Sequence, residues 1–460
     1  MFEKGWIYRG LRLVNWCPTC RTAFSDLEVE HEEKDSNLWF IAYPSVDGEF
    51  EIVVATTRPE TMVADTAVAI HPEDERYRHL VGKTVVLPII GRAIPIIEDD
   101  YLDPTFGTGA LKVTPAHDVN DYEIGLRHDL PMRVGIDFDG KMTGEAGPYQ
   151  GMTTEEAREA IVRRLKEDGK LRSVTGHRHS VGVCDKCGTV IEPLPSEQWF
   201  VKMRDLAALA LKAIPTDEKP ADGQVRFVPS RYAKASREWL ENIRDWCVSR
   251  QLWWGQRIPI YYCACGEVTC AEVPPQTCSK CGGTELRQDE DVLDTWFSSA
   301  IWPQVVLGWP EETPELRAFY PTDVLITARG ILYLWVARMI MTSLEFTNKL
   351  PFRDVYVHAT ILDKDGKRMS KSLGNGVDPM DLIAQYGTDA TRMGTLLMAA
   401  RGQDSRFSTE KFEHSRNFAN KLWNATRFAL NSSMGLEILH PDAIQNKLSP
   451  LERWILSRAT

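Results

Sequence analysis

The residue types best suited to chemistry form one short cationic run, Lys367-Arg368-Met369-Ser370-Lys371-Ser372-Leu373-Gly374-Asn375-Gly376. Lysine and arginine placed this closely can neutralise a triphosphate and the charge that develops on a leaving pyrophosphate. Two hydroxyls and flanking glycines fit the same task. Asp363-Lys364-Asp365-Gly366 just before the run reads as a tight turn, with Lys364 solvated, and the strand-like residues 355–362 feed into it. Read without its surroundings, the string would serve equally as a solvated basic loop.

Ten cysteines are present, most of them in tight groups, which favours metal ligands in a reducing compartment over disulfides. Cys17-Pro18-Thr19-Cys20 and Cys184-Asp185-Lys186-Cys187 are two CxxC knuckles. Together they offer the four thiolates of a closed, structural Zn2+ site, which would bring together the two ends of the intervening chain. A second group holds Cys263, Cys265, Cys270, Cys278 and Cys281. Cys278 and Cys281 form a regular knuckle. Cys263 and Cys265 sit one residue closer than usual, so Cys270 could substitute for one of them. Cys247, among aromatic residues, reads as a buried thiol.

A third constellation is His117-Asp118-Val119-Asn120-Asp121-Tyr122. If a helix begins here, Asp118 and Asp121 project to one side. The simplest reading of that spacing is an acidic helix start with a capping aspartate.

The elements that must position these groups follow from length and pattern. The 460 residues suffice for about two to four domains. The formal net charge of -11 excludes steering to nucleic acid by overall charge, so any such contact must come from local patches. No signal sequence and no run long and apolar enough for a membrane span is present, and a cytoplasmic protein without membrane contact is expected. Residues 2–10 read as a helix end running into a strand. Short β-branched runs at 38–41, 50–55, 84–90 and 110–114 predict a β-rich module over 35–180, with an amphipathic helix at 153–168 that buries Ala157, Ala160, Ile161 and Leu165. Residues 181–290 carry the later knuckles and a tryptophan-rich stretch. Residues 291–400 alternate strand-like and helical segments, an α/β pattern. A long helix begins near Thr409.

These segments resemble the class I aminoacyl-tRNA synthetases, and among them the valyl branch. The resemblance rests on Asn15-Trp16-Cys17-Pro18, 25–30, Ala55-Thr56-Thr57-Arg58-Pro59-Glu60-Thr61-Met62, Pro115-Ala116-His117-Asp118, 239–255, Asp294-Thr295-Trp296-Phe297-Ser298, 335–341 and the cationic run. Thr-Thr-Arg-Pro-Glu is shared with isoleucyl and leucyl relatives, which leaves those siblings, or a non-catalytic zinc-stabilised tRNA-binding protein using Arg244, Arg250 and Arg257, as alternatives. The resemblance implies an α/β, Rossmann-like nucleotide-binding catalytic domain (1–34, 181–290 and 291–400) interrupted by a β-rich editing domain (35–180). The start of a helical anticodon-binding bundle follows (401–460). It further implies a monomer that uses ATP with Mg2+ to form valyl-adenylate, transfers valine to tRNA(Val) and hydrolyses threonyl-tRNA(Val). Arg368, Met369, Ser370, Lys371 and Ser372 would be the second signature loop, with Arg368 replacing the usual lysine and Lys371 contacting the phosphates. Trp296 and Trp335 would shape the amino-acid pocket. Thr56, Thr57 and Arg58 would face the tRNA 3'-terminal nucleotide. Asp121 would hold the substrate α-ammonium, and Asp118 beside His117 would read the threonine hydroxyl.

Two departures accompany the resemblance. No His-x-Gly-His string occurs, so the chain is expected to be an internal piece that does not form valyl-adenylate unaided. Gly330 stands where the family has an acidic residue near the ATP ribose, and glycine cannot accept that hydrogen bond.

Overall fold

The computed structural model describes residues 1–370, 373–399, 403–437 and 439–459. Two compact units arise: Met1–Gln224 with Lys234–Thr322 and Tyr333–Pro351, and Val225–Ala233 with Asp323–Leu332 and Phe352–Thr460. Among the described residues no helix is long and apolar enough to cross a membrane.

In the first unit, strand β1 (Ile7–Cys17) follows a turn at residues 2–5 and not a helix end. Strand β2 (Thr22–Phe24) folds back on it, and β3 (Val29–Pro44) then leaves as one arm of a long ribbon. The returning arm is β9 (Leu171–Cys184), paired antiparallel from Val29↔Cys184 to Trp39↔Val174. The ribbon's outer stretch is polar and exposed, and burial begins at Leu38. From there β4 (Glu51–Thr56) pairs with β3 and buries Ile52 and Val54 on alternate positions, the period-two pattern of a half-buried strand.

A second sheet of the lobe contains β5 (Ala67–Ile70), β6 (Thr84–Val86), β7 (Ala93–Glu98) and β8 (Ala110–Val113), in the order β6-β7-β5-β8. The strand expected over 84–90 stops at Val86, because Ile89 takes φ +70° in the turn to β7. Helix α1 (Val119–Arg127) follows β8. Helix α2 (Thr154–Glu167) starts at a capping box in which Thr153 and Glu156 satisfy each other's backbone N–H, and it buries Ala157, Ile161 and Leu165 at helical spacing. Together with Ile41, Tyr43, Met62, Ile70 and Ile96 these residues form one apolar core. Strand β10 (Glu192–Val201) leaves the lobe and pairs with β1 from Ile7↔Val201 to Trp16↔Glu192.

The second unit contains a three-stranded sheet in the order Arg226–Val228, Phe352–His358, Thr322–Ala328, the first two strands parallel. The strand expected over 355–362 is broken after His358, and Ile361–Leu362 pairs instead with Ser405–Arg406. Helices Thr388–Met398 and Thr409–Ser432 close around Phe412, which is fully buried against Tyr386, Ala390 and Met398. Gly394 permits that approach: a Cβ there would lie 2.5 Å from Phe412 Cδ1. Helix propensity alone would make Gly394→Ala stabilising by about 1 kcal/mol. Overpacking costs about 1–3 kcal/mol, so the clash outweighs the gain and thermal unfolding should show a less stable protein.

Candidate active site

The lobe is fastened where its two ends meet. Cys17 closes β1, Cys184 closes β9, and the β1–β10 ladder runs alongside. The sulfurs of Cys17, Cys20, Cys184 and Cys187 lie within 4.8 Å of one another, with Cys17–Cys187 at 3.5 Å and Cys20–Cys184 at 3.8 Å. A tetrahedral Zn2+ with bonds of about 2.3 Å places its sulfurs roughly 3.8 Å apart, so the donor set fits. Burial pushes the Cys17 thiol up to about 11, and a metal is the counter-charge that would let it ionise. The second group is Cys263, Cys265, Cys278 and Cys281, with Cys263–Cys281 at 3.5 Å and Cys265–Cys278 at 3.6 Å. Cys270, the substitute that sequence spacing left open, stands outside it, and Cys247 is a buried thiol as expected.

Inside the lobe, Thr56 ends β4 and accepts a hydrogen bond from the Arg58 amide at 3.0 Å, which bends the chain into the turn Pro59–Ala64. Thr57 is half-buried between them. Arg58 bonds Glu60 at 3.0 Å and Glu192 at 2.5 Å, and Arg158 forks onto Glu60 with two 2.8 Å bonds. Burial opposes ionisation of Glu60, but Arg158 and Arg58 outweigh it and hold its carboxyl below the usual range.

His117 is 2% exposed, and both ring nitrogens are occupied by backbone. Nε2 accepts from Gly135 N–H at 2.7 Å, and Nδ1 lies 3.3 Å from the Pro193 carbonyl, which suits a proton on Nδ1. Burial, then the Arg58 charge, pushes its pKa down to about 3. A neutral ring tied at both ends is a strut between the lobe and β10 that stays uncharged near neutral pH.

Asp118 and Asp121 separate in role. Asp118 is exposed and caps α1, accepting from Asn120 N–H at 2.8 Å and Asp121 N–H at 3.1 Å. Asp121 is 5% exposed, and one carboxyl oxygen accepts the Thr114 N–H at 2.8 Å. Burial first, then the Asp118 charge, raises its pKa to about 8, with Lys112 opposing. A network unseen in the sequence lies beneath. Lys112 Nζ donates to Thr61 Oγ1 at 2.9 Å, Asp65 Oδ1 at 3.1 Å and Thr114 Oγ1 at 2.6 Å, and Thr61 in turn bonds the Arg58 carbonyl at 3.0 Å. A continuous path therefore joins the Thr56–Arg58 corner to Asp121. The only sequence signal was Lys112 standing in an otherwise apolar strand.

Trp296 is half-buried on the short helix Thr295–Ser299, whose cap Asp294 accepts from Trp296 N–H at 3.1 Å. Trp335 bonds the Ser299 carbonyl through Nε1 at 3.0 Å and packs beside Trp302. Trp335 is thus anchored to the last residue of the helix that carries Trp296. Arg250, offered above as an RNA contact, is 3% exposed and consumed by Glu28 at 2.5 Å and Asp294 at 3.1 Å, so it cannot face RNA.

In the second unit the cationic loop is templated by Asp363 and Asn375. Asp363 accepts from the amides of Asp365 and Lys367, and from Asn375 Nδ2 at 2.8 Å. Asn375 also bonds the Arg368 carbonyl at 3.2 Å and accepts from Ser370 N–H at 2.9 Å. This fixes the backbone of Arg368, Met369 and Ser370. Lys371 and Ser372 lie outside the described residues. Gly330 sits in a 3-10 turn with open space where a side chain would stand.

Residues 1–408 match the family of tRNA synthetases class I (I, L, M and V). The chain belongs to the class I tRNA synthetases. Over its whole length this synthetase chain is 54% identical to the valine–tRNA ligase of Symbiobacterium thermophilum and 52% identical to that of Thermotoga maritima, covering 50% and 52% of those proteins. It is 53% identical to the valine–tRNA ligase of Carboxydothermus hydrogenoformans, covering 51% of it. The chain spans about half the length of the curated relatives it matches.

Two expectations follow. Metal analysis should find two Zn2+ per chain; Cys17→Ser should lose one and lower the melting temperature, whereas Cys270→Ser should keep both. For Asp121, a folded pKa of about 8 lies above the ordinary value, so folding favours the protonated form and stability is lost as pH rises through about 8. Asp121→Asn cannot ionise. Its melting temperature should match wild type near pH ~4, exceed it increasingly as pH rises, and hold a constant lead above about pH 8.

Proposed function

We propose that this chain is the portion of a valine–tRNA ligase that carries the hydrolytic editing lobe and the second half of the nucleotide-binding domain. The whole protein would activate valine with ATP and Mg2+, transfer it to tRNA(Val) in the cytoplasm, and use the lobe to remove threonine attached in error. The observation that carries the editing reading is Asp121, a buried carboxyl that no cation pairs among the described residues, held at the end of a path from the Thr56–Arg58 corner.

The need for a second site is physical. A pocket shaped for valine rejects the near-isosteric threonine only weakly, because an added hydroxyl costs little there. A site that hydrogen-bonds the hydroxyl can discriminate strongly. In the lobe, Asp121 would release its proton as the substrate α-ammonium seats against it. Asp118 keeps one oxygen for the helix cap and would offer the other to the threonine hydroxyl. Thr56, Thr57 and Arg58 would hold the terminal adenosine. Water then attacks the ester carbonyl carbon, the bond to the ribose oxygen breaks, and that oxygen takes a proton. Positioning of ester and water supplies most of the rate, and His117 contributes as a wall.

For synthesis, Arg368 and Ser370 would meet the ATP phosphates, with Lys371 and Ser372 completing the set. Trp296 and Trp335 would line the valine side chain. The thiolate groups would hold Zn2+ as closed structural sites, offering no open position to substrate. Loss of a charge-assisted hydrogen bond is worth about 1.5–3 kcal/mol, so Asp121→Ala should hydrolyse threonyl-tRNA(Val) roughly 10- to 100-fold more slowly than the unaltered chain. Equal rates would remove Asp121 from the mechanism. In the same preparation, valine-dependent ATP–pyrophosphate exchange should be absent, and robust exchange would show that the synthetic site needs no histidine signature.

A further inference from the structure

We infer that Asp294 is a positioning residue of the valine pocket: one buried carboxylate starts the helix that carries Trp296 and, through Arg250 and Arg338, holds it to the root of the lobe's ribbon and to the helical segment of Trp335. The inference rests on the reading of Trp296 and Trp335 as walls of that pocket.

Asp294 is buried and gives both carboxylate oxygens to the fold. Oδ1 accepts the Trp296 N–H at 3.1 Å, and Oδ2 accepts the Trp246 Nε1–H at 3.0 Å. Oδ2 also lies 3.1 Å from Arg250 Nη2 and 3.7 Å from Arg338 Nη1. Arg250 Nη2 reaches Glu28 at 2.5 Å, and Nη1 donates to the carbonyls of Cys247 at 3.0 Å and Ser249 at 2.9 Å. Glu28 in turn accepts the Ser25 N–H at 2.9 Å, directly before β3. The Arg338 guanidinium stands over the Trp246 ring, 3.5 Å from its centroid. Two arginines and two carboxylates thus share one interior cluster.

The helix Thr295–Ser299 is too short to hold its setting by its own hydrogen bonds. Its start is fixed by Asp294. Its end is fixed by residues 335–342: Trp335 Nε1 donates to the Ser299 carbonyl, and Thr342 Oγ1 donates to the Ala300 carbonyl at 2.7 Å. Arg338, on the same segment, returns to Asp294. The contacts close a ring that runs from Asp294 through the Trp296 helix, Trp335 and Arg338 back to Asp294. Ion pairs taken out of water cost desolvation that apolar side chains would avoid. What they supply is direction, since hydrogen bonds and ion contacts hold a short helix in one rotation where apolar packing would let it turn. Loss of the Asp294 charge leaves Arg250 and Arg338 without the carboxylate they share, so the ring opens and both indoles move.

The test uses the 460-residue chain labelled with fluorotryptophan, the signals of Trp296, Trp335 and Trp39 being identified by their absence when each is replaced by phenylalanine. Asp294→Asn keeps a side chain that can cap the helix and removes the charge. In it the Trp296 and Trp335 fluorine signals should move, while that of Trp39, in the lobe core, should stay. Valine titrated into the same sample should bind roughly 10-fold more weakly, the effect of one ill-fitting methylene in an apolar pocket. Glu28→Gln should move the Trp296 signal as well, although Glu28 bonds Ser25 and Arg250 and, among the described residues, neither tryptophan. Trp296 and Trp335 signals that stay in place in folded Asp294→Asn, or an unchanged valine affinity there, overturn the inference. If that variant does not fold, an unmoved Trp296 signal in Glu28→Gln does so. Should valine leave both signals of the unaltered chain untouched, the pocket reading falls, while the signals still report whether Asp294 sets the two indoles.

Discussion

Charge taken out of water must be matched by charge or be given up, and the interior of the β-rich lobe is arranged around that constraint. Glu60 is clamped by Arg58 and Arg158, Asp65 by Lys112, Asp74 by Arg76 and Asp99 by Arg127. Among the described residues of the lobe, Asp121 is the carboxyl of comparable burial that no cation pairs. It keeps its proton instead, and its pKa climbs to about 8. The position is costly to an empty protein; under the proposed editing role an arriving ammonium would supply the missing partner.

The rest of the first unit fixes the surroundings of that carboxyl. The ribbon of β3 and β9 carries the chain out and back, and the cysteine pairs at 17, 20, 184 and 187 bring its ends to one point. His117 ties the loop at Gly135 to Pro193 on β10, so the residue that precedes Asp118 is braced from outside the lobe. The cavity of about 1030 Å³ in this unit is lined by Val119, Tyr122 and Glu123 of α1 and by Arg338, and not by Asp121. Size alone therefore does not single out Asp121; unpaired burial does.

Much of this was legible in the sequence where chemistry restricts spacing. Two CxxC knuckles can be read because tetrahedral thiolate ligation demands pairs, and the helix at 153–168 because its apolar residues recur at helical spacing. The plain reading of Asp118 as a cap was right about what that residue does in the fold. Asp121 is separated from Asp118 only by the fold, which buries one and exposes the other of two carboxylates three positions apart. Lys112 and Asp65 were illegible: 47 residues separate them, and no local pattern links a lysine on one strand to an aspartate after a turn. Arg250 misled for the converse reason, since a basic residue among tryptophans looks exposed until Glu28 and Asp294 enclose it. In the cationic loop the positive residues drew attention, while the polar pair Asp363 and Asn375 that gives it shape did not.

In the proposed editing role Asp121 waits protonated and ionises against a substrate ammonium. Calorimetry of the chain with a non-hydrolysable threonyl-adenosine analogue near neutral pH, repeated in buffers of different ionisation enthalpy, tests it directly. Binding should release about one proton, and that release should be lost in Asp121→Asn. Binding whose heat is the same in every buffer would contradict it.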